Sequence, residues 1–478
     1  MNTLSLLALK CAYNTFDLSS GLSNVSIRDQ MVRAKLLIRD LVHSKEPCRE
    51  ILIVGAGIAG ACAAVEAAKH EIRVVCVDRN ERPFQLQHVS AHRYVGPYMY
   101  EWPAAFSELQ HFPPLDWPDA KTMSKFFRTE FGWRALEPMA SNVLADKLDT
   151  WLRDRLAAPA TPAQPHPEFL MALPAAQVRQ YVLAFIKGRK PLAGQFKAAR
   201  HWPDGSVADV DIRPDFVILA AGMGRENCTL VEGVEGIKFW KDDTLWQPAV
   251  NTKQVGIFGG GDGAMQDFLR VLSIFNHPLA FIEALKQDHA VRVLLEREYA
   301  YLLSIEQQHR LESTWTLPSA SHDIWRQIDS QCREVAQRLA MHYCVRRAVA
   351  AGVKPDGGGR VELFCREAYF GKAYLLNRFM LHLLNTCRRE STEEFDGRLP
   401  FAIHFMREAR SGSVSHGIYD IVVADTKNPM GQERKKFEVV AVRFGVNRDT
   451  TAVKQLLGLK NKALASRTSM AQIPLPFF

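Results

Sequence analysis

Gly55, Gly57 and Gly60 form a G-x-G-x-x-G pattern directly after the apolar run Ile51 to Val54, and Asp78 follows 23 positions after the first glycine. This spacing suits holding a ligand rather than breaking a bond. Glycine at 55 permits a tight turn, at 57 a close approach of backbone to a pyrophosphate, and at 60 close packing of helix on strand. Phosphates then meet the free N–H groups and dipole of a helix start. Asp78 is placed to accept ribose hydroxyls of an adenosine, with Ile58, Ala59 and Arg79 as flanking contacts. About two hundred residues on, Gly259, Gly261, Asp262 and Ala264 repeat the pattern with alanine in the third place.

These loops need strands and helices to aim them. Ile51 to Val54 and Ile72 to Val77 read as strands, and the Ala-rich Ile58 to Lys69 as the helix between them: one βαβ unit, its apolar strands suited to a parallel sheet covered on both faces. Val255 to Phe258 opens a second unit, whose second strand reads as Val291 to Leu295, ending at Glu296. Asp215 to Gly222 closes the first half, preceded by short strands between Gly194 and Asp211 with a turn at Pro203-Asp-Gly205. Phe437 to Gly445 closes the second, after strand-like Phe401 to Met406 and Ile418 to Val423. The organisation expected is an arm over 1–48 carrying an amphipathic helix from Ile27 to Val42, a first nucleotide-binding domain over 49–240, and a second over 241–450. The second contains a helical insertion at about 298–395. A C-terminal helix and apolar tail occupy 451–478.

Gly55 to Gly60 with Asp78, followed by Asp215-Phe-Val-Ile-Leu-Ala-Ala-Gly222, resembles the flavoproteins with two dinucleotide-binding domains. That group includes disulfide reductases and the N-hydroxylating and Baeyer–Villiger monooxygenases. The resemblance implies an α/β fold of two Rossmann-type dinucleotide-binding modules with a helical insertion. It implies FAD at the first loop, with Ala221 and Gly222 in the place of the group's Ala-Thr-Gly strand end, and NAD(P)H at Gly259, Gly261, Asp262 and Ala264. Glu296 would bind a ribose 2′-hydroxyl and favour NADH, whereas Arg297 could hold a 2′-phosphate. The chain departs from the group twice. It has no closely spaced cysteine pair, and no Gly-Asp dipeptide near its C-terminus. Arg443-Phe-Gly445 stands where a second Ala-Thr-Gly is expected.

The stretch His88 to Pro103 is dense in aromatics and lines the flavin ring in the group. Arg93 could neutralise a flavin anion or a cofactor phosphate. Tyr98 and Trp102 would pack on a planar ring, or else, with Tyr100, serve as core aromatics. His88 and His92 have i, i+4 spacing, but nearby prolines and the lack of a third ligand leave no metal site expected. No Ser-His-Asp order, P-loop lysine or paired carboxylate marks a side-chain catalyst, as expected where a cofactor does the chemistry.

With 60 Lys and Arg against 52 Asp and Glu, and 47% hydrophobic residues, the composition is that of a globular protein, not a disordered, collagen-like or membrane-spanning chain. The nine cysteines, scattered and odd in number, point to a reducing compartment, here the cytoplasm. The expected function is an oxidoreductase passing hydride from NAD(P)H to FAD and on to oxygen or an organic acceptor, with a small-molecule substrate. No nucleic-acid or membrane partner is expected, since the basic clusters at Arg346, Arg388 and Arg434 are short; a homo-oligomer or protein partner could use the helical insertion. The rival is a dinucleotide-binding sensor or assembly protein that has lost turnover.

Overall fold

The computed structural model describes residues 4–18, 27–96, 102–103, 138–157, 166–201, 206–222, 224–315, 321–371, 373–428 and 430–447. They divide into two compact units. The first takes the described parts of Met1–Ala91, His111–Arg225 and Val446–Phe478, and the second those of His92–Gln110 and Glu226–Gly445.

In the first unit Glu50–Val54 is the central strand, flanked by Arg73–Val77 and Phe216–Leu219, both parallel to it. Its four residues Ile51 to Val54 are all buried, as are Val74 to Val77, which is why both strands read as unbroken apolar runs. Glu168–Met171 extends the sheet in parallel beside Arg73–Val77, and Gly194–Arg200 and Val207–Ile212 close that edge as an antiparallel pair. The turn expected at 203–205 lies outside the described residues. At the other edge Thr15–Asp17 pairs in parallel with Phe216–Leu219, so the segment ahead of the first domain contributes to its sheet. The expected helix Ile27–Val42 forms and packs on Ile58–Lys69, burying Ala34, Leu37, Ile38 and Leu41.

The second unit repeats this core. Gln254–Phe258 lies between Arg360–Phe364 and Val439–Val442, with Phe401–His404 outside, all parallel. A three-stranded antiparallel layer, Arg407–Ser415, Ile418–Asp425 and Gln432–Phe437, accompanies it.

One element differs from the reading of the sequence. Val291 to Leu295 is not the second strand but part of a helix, His289–Trp315. A five-residue apolar run fits a strand or a buried helix face equally, and the wider spacing decides. Val291, Leu295, Leu302 and Ile305 are buried apolar positions, three, four or seven residues apart, while Arg292 and Glu296 approach within 3.9 Å on the outside. The strand in that place is Arg360–Phe364, inside the stretch expected to be helical. Among the described residues, five helices between Asp262 and Ala351 precede it. Its polar middle residue hid it. Glu362 is buried, and accepts from His404 Nε2 at 2.7 Å and Lys435 Nζ at 3.0 Å. Burial alone would raise its carboxyl; these two donors hold it down at about 2. Gly359 admits the chain to the strand, since a side chain there would meet the carbonyl oxygens of Asn251 and Lys253 at 2.5 Å.

Among the described residues no helix is long and apolar enough to cross a membrane.

Candidate dinucleotide sites

At the first loop each glycine has a separate physical reason. Gly55 has φ +113°, its N–H donates to Val77 O at 2.7 Å, and a Cβ on it would lie 2.4 Å from Ala220 O. A Cβ on Gly60 would lie 1.8 Å from Gly55 O. Gly57 is different. It opens the helix in an extended conformation with no side-chain cap, and a Cβ there would meet nothing within 4 Å. The helix therefore starts with N–H groups that no capping side chain satisfies, and beside Gly57 there is clear space, the two conditions a pyrophosphate requires. Ile58 and Ala59 form the buried first turn.

Asp78 follows the second strand. Its Oδ2 accepts from Ala56 N at 2.7 Å and its Oδ1 from Asn80 N and Nδ2, both at 2.8 Å. A carboxylate has about four acceptor positions, so Asp78 braces the loop and retains capacity for a ribose hydroxyl. Arg79 is exposed beside it. Ala221 and Gly222 follow the strand Phe216–Leu219, with Gly222 at φ +82°.

The second loop reproduces the geometry. Gly259 has φ +140°, its N–H donates to Phe364 O at 2.9 Å, and a Cβ on it would lie 2.5 Å from Arg443 O. Gly261 opens the helix Asp262–Leu272 without a side-chain cap, and Ala264, fully buried, takes the place of Gly60. Arg443 N donates to Phe258 O at 2.8 Å as Ala220 N does to Val54 O at 2.7 Å, and Gly445 has φ +79°. Arg443-Phe-Gly445 is thus the counterpart of Ala220-Ala-Gly222, with an arginine in the place of a small residue.

Glu296 loses its premise, because position 296 is on a helix and not at a strand end. The position matching Asp78 is Cys365, which follows Phe364 as Asp78 follows Val77, and its Sγ lies 3.6 Å from Gly259 O. An acid close to the loop is Glu367, with Oε2 3.8 Å from where a Gly260 Cβ would be. The misplaced strand concealed both residues.

Arg93 is also corrected. It is buried in the second unit, pairing with Asp267 and with Asp243 at 3.2 Å, donating to Phe239 O at 2.7 Å and lying 3.9 Å over the Phe239 ring. Three of its five N–H groups are committed to this set and the side chain is buried within it. Arg443 Nε donates to Asp267 Oδ2 at 2.7 Å, and Arg270 reaches Asp267 at 3.0 Å and Asp243 at 2.9 Å. Burial alone would raise the Asp267 carboxyl; Arg93, Arg443 and Arg270 hold it well below the usual range. Trp102 stacks on Phe379 at 5.0 Å within the second unit's core. His92 stacks on Trp246 at 4.0 Å. Tyr98 and Tyr100 lie outside the described residues.

Asp262 is the one acid at either helix start. It accepts from Asn377 Nδ2 at 2.6 Å and from Tyr374 N and Gln266 Nε2 at 3.2 Å. Burial nevertheless dominates and pushes its carboxyl up to about 6. The folded state then holds a proton that the unfolded chain has released, so Asp262 lowers stability as pH rises from about 4 to about 6. Urea unfolding across that window should show this decline, and Asp262→Asn should flatten it.

Residues 53–109 match the family described as NAD(P)-binding Rossmann-like domain. The curated proteins give no match. Among solved structures, the thioredoxin reductase of Lactococcus lactis is similar at 10% identity and TM-score 0.35, over 87% of this chain and 83% of that one. The ornithine hydroxylase of Pseudomonas aeruginosa, in its reduced form, is similar at 12% and 0.34, over 84% and 83%. The FAD-bound cadaverine monooxygenase of the desferrioxamine pathway from Erwinia amylovora is similar at 11% and 0.37, over 86% and 81%.

Proposed function

We propose that the protein is an FAD-dependent oxidoreductase that takes hydride from NAD(P)H and passes it to oxygen or an organic acceptor, in the manner of a monooxygenase acting on a small molecule. The observation that carries this reading is the repetition of one loop geometry: two glycine turns, each between buried parallel strands, each opening a helix with no side-chain cap. A single nucleotide substrate would need one such loop; a cofactor pair needs two. Bound FAD would supply the hydride-accepting ring. Gly55, Gly57, Gly60 and the helix start at Ile58 and Ala59 would hold its pyrophosphate, Asp78 its ribose, and Ala221 and Gly222 would pass beside it. Gly259, Gly261 and Ala264 would hold NAD(P)H.

Dithiol chemistry is disfavoured by the thiols themselves. None of the nine cysteines forms a disulfide, and burial pushes Cys48, Cys332 and Cys387 up to about 12, so these three are protonated and poorly nucleophilic at neutral pH. The second reading, a nucleotide-binding sensor without turnover, is favoured by the altered second loop. A Cβ on Gly263 would touch Phe239 at 3.3 Å and Arg443 at 3.4 Å, and Asp262 places an acid at the helix start.

Anaerobic addition of NADH or NADPH to the purified, FAD-loaded protein separates the readings. Bleaching of the oxidised flavin band supports the oxidoreductase. Bound flavin that neither nucleotide reduces supports the sensor. A protein that refuses FAD overturns the assignment of the first loop and with it the oxidoreductase.

A further inference from the structure

His88, at the end of the short helix Gln85–His88, faces Asp146 and Asp149 from the helix Ser141–Ala157, all within the first unit. One ligand atom from each of the three lies within 4.8 Å of the others. The geometry points to a site for a divalent cation of the zinc class at these three residues, apart from either glycine loop.

Two observations distinguish this from a surface ion pair. First, His88 is nearly enclosed, its side chain 5% exposed, and its Nε2 lies 2.9 Å from Asp149 Oδ2 without forming a hydrogen bond. The carboxylate oxygen is off the line along which an N–H would donate. Asp149 Oδ1, also buried, has no hydrogen-bond partner either. The buried imidazole nitrogen and the buried second oxygen of the carboxylate it touches are both without a hydrogen bond, and a cation beside them would satisfy both. Second, the spacing on the Asp149 side is close to that of a metal site. Metal–ligand bonds of about 2.0–2.2 Å in a tetrahedron place ligand atoms roughly 3.3–3.6 Å apart, and the Nε2 to Asp149 contact is a few tenths shorter than that. Asp146 Oδ1 lies 3.9 Å from the other ring nitrogen, Nδ1, so its side chain has to turn to the Nε2 side to share the cation.

Asp146 lies one helical turn before Asp149 on the same face, and at 76% exposed its side chain is free to swing inward. One imidazole and two carboxylates make a three-ligand set with a fourth position left for water, and the mixed nitrogen and oxygen donors suit zinc better than calcium or magnesium. Bound there, the cation would tie the segment leaving the first βαβ unit to the 141–157 helix. Asn142 N and Ser90 O already join the two at 3.2 Å. No redox step is required of it.

The test uses the full chain, stripped with a chelator and titrated with Zn²⁺, then with Co²⁺ as a spectroscopic probe. One Zn²⁺ equivalent is expected, with Co²⁺ giving the visible absorption of a low-coordinate site. Asp146→Asn, which alters an exposed side chain and spares the fold, and His88→Gln should each weaken binding at least about tenfold. Asp323→Asn, at an exposed acid of the second unit, should change nothing. The assignment is overturned if the wild-type chain takes up no Zn²⁺, if Asp146→Asn and His88→Gln both bind it as the wild type does, or if Mg²⁺ or Ca²⁺ competes with it at equal concentration.

Discussion

Replacing Gly57 by valine should leave the protein folded and abolish flavin retention. The native backbone at 57 has φ −74° and ψ −173°, an extended conformation that a β-branched residue adopts without strain. The space a Cβ would enter holds no protein atom within 4 Å. Among the described residues nothing therefore opposes the added Cβ. A pyrophosphate docked on the uncapped helix start does, because it needs the volume beside Gly57. Affinity for FAD should fall on the order of 100-fold, about 2.7 kcal/mol, while circular dichroism and the urea midpoint stay close to wild type. Gly55→Ala is the contrasting variant. It forces a side chain onto φ +113° and 2.4 Å from Ala220 O, so it should lose stability and flavin together. If Gly57→Val binds FAD as tightly as wild type, the pyrophosphate is not at this loop and the proposed function loses its anchor.

The first loop was legible because everything that defines it is local. A buried strand, three glycines, a helix and an acid lie within thirty residues, and parallel strands covered on both faces announce themselves as continuous apolar runs. The return strand ending at Gly222 shows the same apolar signal. Legibility failed where a partner lies far along the chain. The second module's crossover spans a hundred residues between Phe258 and Arg360, and its strand carries Glu362 because His404 and Lys435, forty and more positions away, satisfy that charge. Arg93 failed for the same reason. As a lone arginine in an aromatic loop it reads as a free cation, and only folding brings it to Asp267, 174 residues later. Asp267 itself reads as an ordinary polar position on an amphipathic helix, next to the apolar stripe of Met265, Phe268, Leu269 and Leu272.

Asp267→Asn should produce the largest loss of stability of any single substitution in the second unit. Asp267 is fully buried and touches three guanidinium groups, those of Arg93, Arg270 and Arg443. With Asp243 it leaves the cluster at 3 − 2 = +1, and Lys354 Nζ, donating to Arg270 O, adds to the positive side. Neutralising Asp267 leaves three buried cations facing one carboxylate, and breaking a buried pair in this way costs about 3–5 kcal/mol. Equilibrium urea unfolding should show that loss in the transition of the second unit. Arg443→Met in the Asp267→Asn background should recover part of it, because the second change removes a cation the first left uncompensated; a cycle with no such coupling would mean the cluster is solvated. The pH dependence follows in sign. The arginines hold the Asp267 carboxyl below its unfolded value of about 3.9, so the stabilisation is complete above that value and is lost as pH falls below it. The asparagine variant should lose that acid sensitivity. Arg443 also closes the strand beside the second glycine loop, so the same substitution should weaken NAD(P)H binding if that loop holds the nucleotide, and leave FAD affinity at the first loop unchanged.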